Sequence, residues 1–168
     1  MSVCVIYFCI GCYSGSDKLE RYDVFWYPRK QVIQARVRFG HHLSGHPGIV
    51  HGGAIASLFD DAFGVLFFSL KLGSGFTANL NVNYRSPIYT GRDVLYQVEL
   101  EEVEGRKVKL KASVYDAENP EHKYADSTAL FVVKHVASSS NAVKQLKEYL
   151  TELETKARKE HHDEEDRT

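Results

Sequence analysis

Apolar and polar positions alternate with period two on either side of one continuous apolar stretch. Arg21 to Tyr27 and Gln31 to Phe39 read as two strands joined at Pro28-Arg29-Lys30. In the second, Ile33, Ala35, Val37 and Phe39 alternate with Gln34, Arg36 and Arg38, which predicts a hairpin with one wet face. Gly40 to Val50 carries three glycines, one proline and three histidines without periodicity, so it reads as a loop. From Gly53 to about Leu70 there is no proline, only Ile55 and Val65 are β-branched, and the apolar residues are too dense for a single stripe. That pattern predicts one largely buried helix, ended by Lys71-Leu72-Gly73-Ser74-Gly75.

Four strands follow at about 76–85, 93–103, 106–117 and 122–134, with turns at Gly91-Arg92-Asp93, Glu104-Gly105 and Glu118-Asn119-Pro120-Glu121. Connections this short make neighbours antiparallel. After Ala137, Val143, Leu146, Leu150, Leu153 and Ala157 recur at spacings of three and four, predicting an amphipathic C-terminal helix. His161 to Thr168 is nearly all charged or polar and is expected to be disordered. A helix apolar on most sides needs cover on most sides, and a strongly curved antiparallel sheet wrapped around it supplies that. The expected architecture is α+β, with an N-terminal segment at 1–20, one domain at 21–136 and the C-terminal helix and tail at 137–168.

The formal net charge of −1 excludes the broad basic field of a duplex-binding protein, so no nucleic-acid partner is expected. Cys4, Cys9 and Cys12 are confined to the first twelve residues. Their C-x4-C-x2-C spacing lacks the fourth thiolate of an iron–sulfur cluster, so they read as free thiols in a reducing, cytoplasmic setting, and neither metal nor cofactor is expected. The apolar run Val3 to Cys12 is too short to span a bilayer and has no basic start. Residues 62–70 are flanked by Asp60, Asp61 and Lys71 and read as buried helix, so no transmembrane segment is expected.

The chemistry concentrates in His51-Gly-Gly-Ala-Ile-Ala-Ser-Leu-Phe-Asp60-Asp61-Ala-Phe-Gly64. Two glycines at a helix start let a ligand approach backbone N–H groups at the positive end of the dipole, where an oxyanion could be stabilised. On a 3.6-residue repeat Gly53, Ser57, Asp60 and Gly64 fall in one row of otherwise small side chains, a groove with an acid in it. Asp61 lies about 100° further round, which favours Asp60 as nucleophile or general base. The plainer alternatives are solvated helix charges for the two acids and a simple helix cap for His51.

In the next strand Ala78, Leu80, Val82 and Tyr84 are expected on one face and Thr77, Asn79, Asn81, Asn83 and Arg85 on the other. Three asparagines on one face suit a polar site wall, a subunit contact or a solvated surface. Lys107, Lys109 and Lys111 form a basic ladder that either grips a phosphate-bearing ligand or protects an exposed edge.

Three segments in order carry a family resemblance: His51-Gly52-Gly53-Ala54 with Asp60, then Thr77-Ala-Asn-Leu-Asn-x-Asn83-Tyr-Arg85-x-Pro87-Ile88, then Val103-Glu-Gly-Arg106-Lys107. From about Pro47 to Lys134 the chain resembles the eukaryotic thioesterase superfamily members four and five, within the phenylacetate-pathway type of hotdog thioesterase. The resemblance implies the hotdog fold, a curved sheet around one long central helix. It also implies hydrolysis of medium- to long-chain fatty acyl-CoA, with CoA as part of the substrate. By the same resemblance Asp60 is the general base or nucleophile, Thr77 positions water or carboxylate, and His51 with the N–H near Gly53 polarises the thioester carbonyl. CoA contacts are implied at Asn83, Arg85 and the strand beginning Arg106-Lys107-Val108-Lys109. The family site forms between subunits, which implies a homodimer or a dimer of dimers. The competing expectations are a hotdog acyl-CoA hydratase or dehydratase pairing His51 with Asp60, and a non-catalytic acyl-CoA-binding regulatory protein. The long presequence of those relatives is not matched, so their mitochondrial address is not carried over and stays open as an alternative to the cytoplasmic one.

Overall fold

A computed structural model describes residues 18–136. The cysteine segment and the expected C-terminal helix lie outside the described residues. Strands β1 (Leu19–Tyr27) and β2 (Val32–Phe39) form the predicted hairpin, followed by α1 (Gly52–Ser69), β5 (Gly73–Tyr84), β6 (Asp93–Glu104), β7 (Lys107–Asp116) and β8 (Lys123–Val136). The expected loop before α1 contains a 3-10 turn at His41–Leu43 and a ribbon of β3 (Ser44–His46) and β4 (Ile49–Val50). Six antiparallel strands run in the order β1-β2-β6-β7-β8-β5.

The helix supplies Phe59, Phe63, Leu66 and Phe67 to the core, all fully buried. Phe59 meets Tyr96 edge-on at 5.0 Å between ring centroids, and Phe67 stacks on Phe131 at 4.9 Å. Each such ring contributes roughly 2–3 kcal/mol by leaving water, so the dense apolar pattern of α1 is explained by the sheet around it. At the outer end of the hairpin Asp93 accepts from Arg21 at 2.6 Å, Arg36 at 3.1 Å and Arg38 at 2.7 Å, pinning β1 and β2 to β6.

Three details depart from the sequence pattern. The helix ends with Lys71 in the left-handed region (φ 54°), not with a glycine there, and the Gly73–Gly75 stretch belongs to β5. Strand β7 lies inside the sheet, so edge protection does not explain its lysines. In β5 the pairing steps from Thr77↔Phe131 to Asn79↔Leu130 and leaves Ala78 without a partner. This bulge shifts the alternation by one. Thr77 therefore shares the helix-facing side with Leu80, Val82 and Tyr84, while Asn79, Asn81 and Asn83 stay on the outer face.

The β7 end is fixed by Asp116, whose buried carboxylate accepts from Tyr124 Oη at 2.7 Å, the N–H groups of Glu118 (2.8 Å) and Asn119 (3.1 Å), and Arg92 at 2.9 Å. Chiefly through the Tyr124 bond, these donors hold its pKa down to about 2. A depressed carboxylate stabilises the fold above its unfolded pKa of about 3.9, and the contribution is lost as pH falls through the folded value. Asp116→Asn is thus expected to lower the melting temperature at pH 7. Its melting temperature should also fall less than that of the wild type between about pH 4 and about pH 2. Parallel slopes in melts across that range would reject the assignment.

Candidate active site

The site begins at His51, which is the N-cap of α1 with extended backbone (φ −63°, ψ 133°). Its Nδ1 accepts the Gly53 N–H at 2.9 Å, while its own N–H donates to Leu43 O at 2.7 Å. An imidazole that accepts at Nδ1 carries its neutral-state proton on Nε2, so Nε2–H is the donor this exposed side chain can offer. Only glycine fits on either side of the ring: a Cβ on Gly45 would lie 2.9 Å from Cδ2 and one on Gly53 2.9 Å from Nδ1. This corrects the expectation for Gly53, because its N–H is engaged by His51 and is not an open carbonyl donor.

About two turns beyond Gly53, Asp60 is exposed on the predicted row of small residues. Its Oδ1 accepts the Thr77 hydroxyl at 2.8 Å, a contact made possible by the bulge at Ala78. Ser57 bonds back to Gly53 O at 2.8 Å, and a Cβ on Gly64 would meet nothing within 4 Å. The row is therefore an open groove with one carboxylate facing it, continued one turn later by Phe68, which is 43% exposed. Asp61 points elsewhere: its Oδ2 accepts the Tyr22 hydroxyl at 2.7 Å. Burial raises the Asp61 carboxyl above the ordinary range and the charge of Asp60 adds to this, against the opposing Tyr22 bond.

Tyr84 is a site residue that the sequence pattern did not single out. Its hydroxyl donates to Gly52 O at 2.8 Å, and a Cβ on Gly52 would lie 3.4 Å from its ring. Simple alternation places it on the apolar face, and only its polar tip at the end of an otherwise apolar set hinted at a partner on the helix.

The residues expected to contact CoA are not gathered around Asp60 within one protomer. Asn83 Nδ2 donates to Asp126 Oδ2 at 3.0 Å and Arg85 forms an ion pair with Asp126. Arg85 and Asp126, with Lys111 and Lys123, line an outer-face cleft of about 430 Å³. Arg106 Nε donates to Val133 O at 2.9 Å, Lys107 is exposed, and Lys109 pairs with Glu102 at 2.6 Å. Val108 is a correction: as an even position of β7 its side chain faces the core with no exposure, so it cannot touch a ligand from there. The sheet separates Asp60 and Thr77 from these outer-face groups, and the way round runs past the free edge of β5.

Among the described residues no group of three or more His, Cys, Asp or Glu could hold a metal ion. Among them α1 is long and apolar enough to cross a membrane, but half of it is buried within the fold.

Residues 47–122 match the model of the thioesterase superfamily. The acyl-coenzyme A thioesterase THEM4 of Rattus norvegicus is 35% identical over 111 residues, 66% of this chain and 47% of that protein. THEM5 of Homo sapiens, also an acyl-coenzyme A thioesterase, is 28% identical over 111 residues, 66% of this chain and 44% of its own length. The chain thus spans about half the length of the curated relatives it matches. Among solved structures, a hypothetical thioesterase protein with coenzyme A from Streptococcus pneumoniae superposes with a TM-score of 0.63 at 19% identity, over 73% of this chain and 92% of that one, a likeness of fold. With the His-capped glycine turn ahead of an exposed aspartate, residues 47–122 are thus similar to the thioesterase superfamily, and the sheet wrapped around one central helix is the hotdog fold.

Proposed function

We propose that the chain hydrolyses fatty acyl-CoA of medium to long chain length to the free acid and CoA. The observation that carries this is the Thr77 hydroxyl bond to Asp60 Oδ1, set in a groove that starts at the His51 cap. With Oδ1 held, Oδ2 is left to act. As nucleophile it attacks the thioester carbonyl, expels the CoA thiolate and leaves an anhydride that water hydrolyses. As general base it takes a proton from the water that attacks the same carbon. Negative charge on the carbonyl oxygen is met by His51 Nε2–H and by the positive end of α1. Phe68 offers apolar contact to the acyl chain at the far end of the row.

A homodimer, or a dimer of dimers, completes this reading, because one protomer leaves the groove open and keeps the outer-face cations on the other side of its sheet. Asn83, Arg85, Arg106, Lys107 and Lys109 are assigned to the CoA moiety on that basis, with Asp126 exchanging partners on binding. The hydratase alternative is disfavoured, since His51 and Asp60 are each hydrogen-bonded elsewhere and not to one another. Purified protein given acyl-CoAs of increasing length should release free thiol, with turnover rising from short to medium and long chains. Absence of thiol release with every chain length would reject the function, and a sedimentation run showing only monomer would reject the shared site.

A further inference from the structure

Asp60 and Asp61 are consecutive, and their carboxylates are hydrogen-bonded to side chains of opposite strands. Asp60 takes the hydroxyl of Thr77 on β5, and Asp61 takes that of Tyr22 on β1. These are the two terminal strands of the sheet. One pair of adjacent acids therefore clasps both ends of the curved sheet to one turn of the helix. The rest of the accessible row cannot fix the helix's rotation, because Gly53 and Gly64 have no side chains and Ser57 bonds its own backbone. The close-packed buried face of α1 limits its rotation, and the two acid contacts set what freedom is left. A helix side chain lies about 6 Å from the axis, so a rotation of about 20° carries a carboxylate about 2 Å, enough to break a hydrogen bond. Asp61 is partly buried beside a like charge, an unfavourable place for an acid.

We infer that Asp61 is a positioning residue: hydrogen-bonded to Tyr22, it holds α1 in the rotation that aims Asp60 at Thr77. This rests on the thioesterase reading for its kinetic consequence. Tyr22→Phe and Asp61→Ala should each lower kcat about 10-fold with KM within twofold, because a misplaced reacting group loses orientation and not binding. Asp61→Asn keeps an oxygen for the Tyr22 hydroxyl and should retain most of kcat. Two residues acting as one clasp are not additive, so the double variant Tyr22→Phe/Asp61→Ala should be no slower than either single one. Unchanged kcat well below each melting temperature, or effects that multiply, would overturn the inference. If the wild type releases no thiol, the thioesterase reading fails by itself, and amide hydrogen exchange still decides the clasp. Exchange over residues 57–64 should quicken in Tyr22→Phe, and equal rates would overturn it.

Discussion

Asp60→Asn is expected to lower kcat for thiol release by roughly 10²–10⁴-fold while leaving the fold intact. The amide is isosteric with the carboxylate, and its carbonyl oxygen can still accept the Thr77 hydroxyl that now meets Asp60 Oδ1 at 2.8 Å. The groove, the His51 cap and the bulge in β5 are thereby preserved. What disappears is the charge: an amide neither attacks a thioester carbon nor accepts a proton from water. Because Asp60 is exposed and makes no ion pair among the described residues, the melting temperature should stay within about 2 °C, a surface change being worth about ±0.5 kcal/mol. KM should change little, since the acyl and CoA contacts lie elsewhere. Full activity in this variant, measured by thiol release alongside its melting curve, would remove Asp60 from the mechanism. Turnover lost together with the fold would instead assign Asp60 a structural duty.

Much of this site could be read in the residues. The row of Gly53, Ser57, Asp60 and Gly64 follows from helical periodicity, and the structure leaves that row accessible with Asp60 in its middle. The choice of Asp60 over Asp61 follows from the same angle, and the two acids do face different strands. The outward lysines of β7 also follow from alternation, though their neighbours Glu99 and Glu102 on β6 could be known only from pairing register. Other features were illegible for physical reasons. A bulge adds one residue without a compositional mark, so simple alternation puts Thr77 with the asparagines although it faces the helix. Val108 enters the CoA set only by its place in a motif, against the alternation that points it inward. The engagement of the Gly53 N–H depends on a ring position that no spacing encodes. Pairings such as Tyr22 with Asp61, 39 residues apart, need the closed sheet to bring them together.

The largest loss of stability is expected at Gly75, which a sequence reader assigns to the punctuation after the helix. In the structure Gly75 lies within β5, paired with Val133, on the face turned to the core. A Cβ there would lie 2.5 Å from the carbonyl oxygen of Val132 and 2.7 Å from Cζ of Phe67. Neither neighbour can yield easily: the first is backbone in the adjoining strand, and the second is a fully buried ring stacked on Phe131. Gly75→Ala must therefore push β5 away from β8 or displace Phe67, and overpacking of this kind costs about 3 kcal/mol. For a chain of this size that corresponds to a fall of about 6–12 °C in melting temperature. The contrast is Gly64→Ala on the open face of α1, where an added Cβ meets nothing within 4 Å and helix propensity improves by up to about 1 kcal/mol. Because Thr77 is two residues beyond Gly75 in the same strand, the first variant should also lose turnover at temperatures where it remains folded. Paired melts and thiol-release assays check both parts. A Gly75→Ala protein that melts with the wild type would mean that β5 does not approach β8 and Phe67 this closely, and the Thr77–Asp60 contact built on that approach would fall with it.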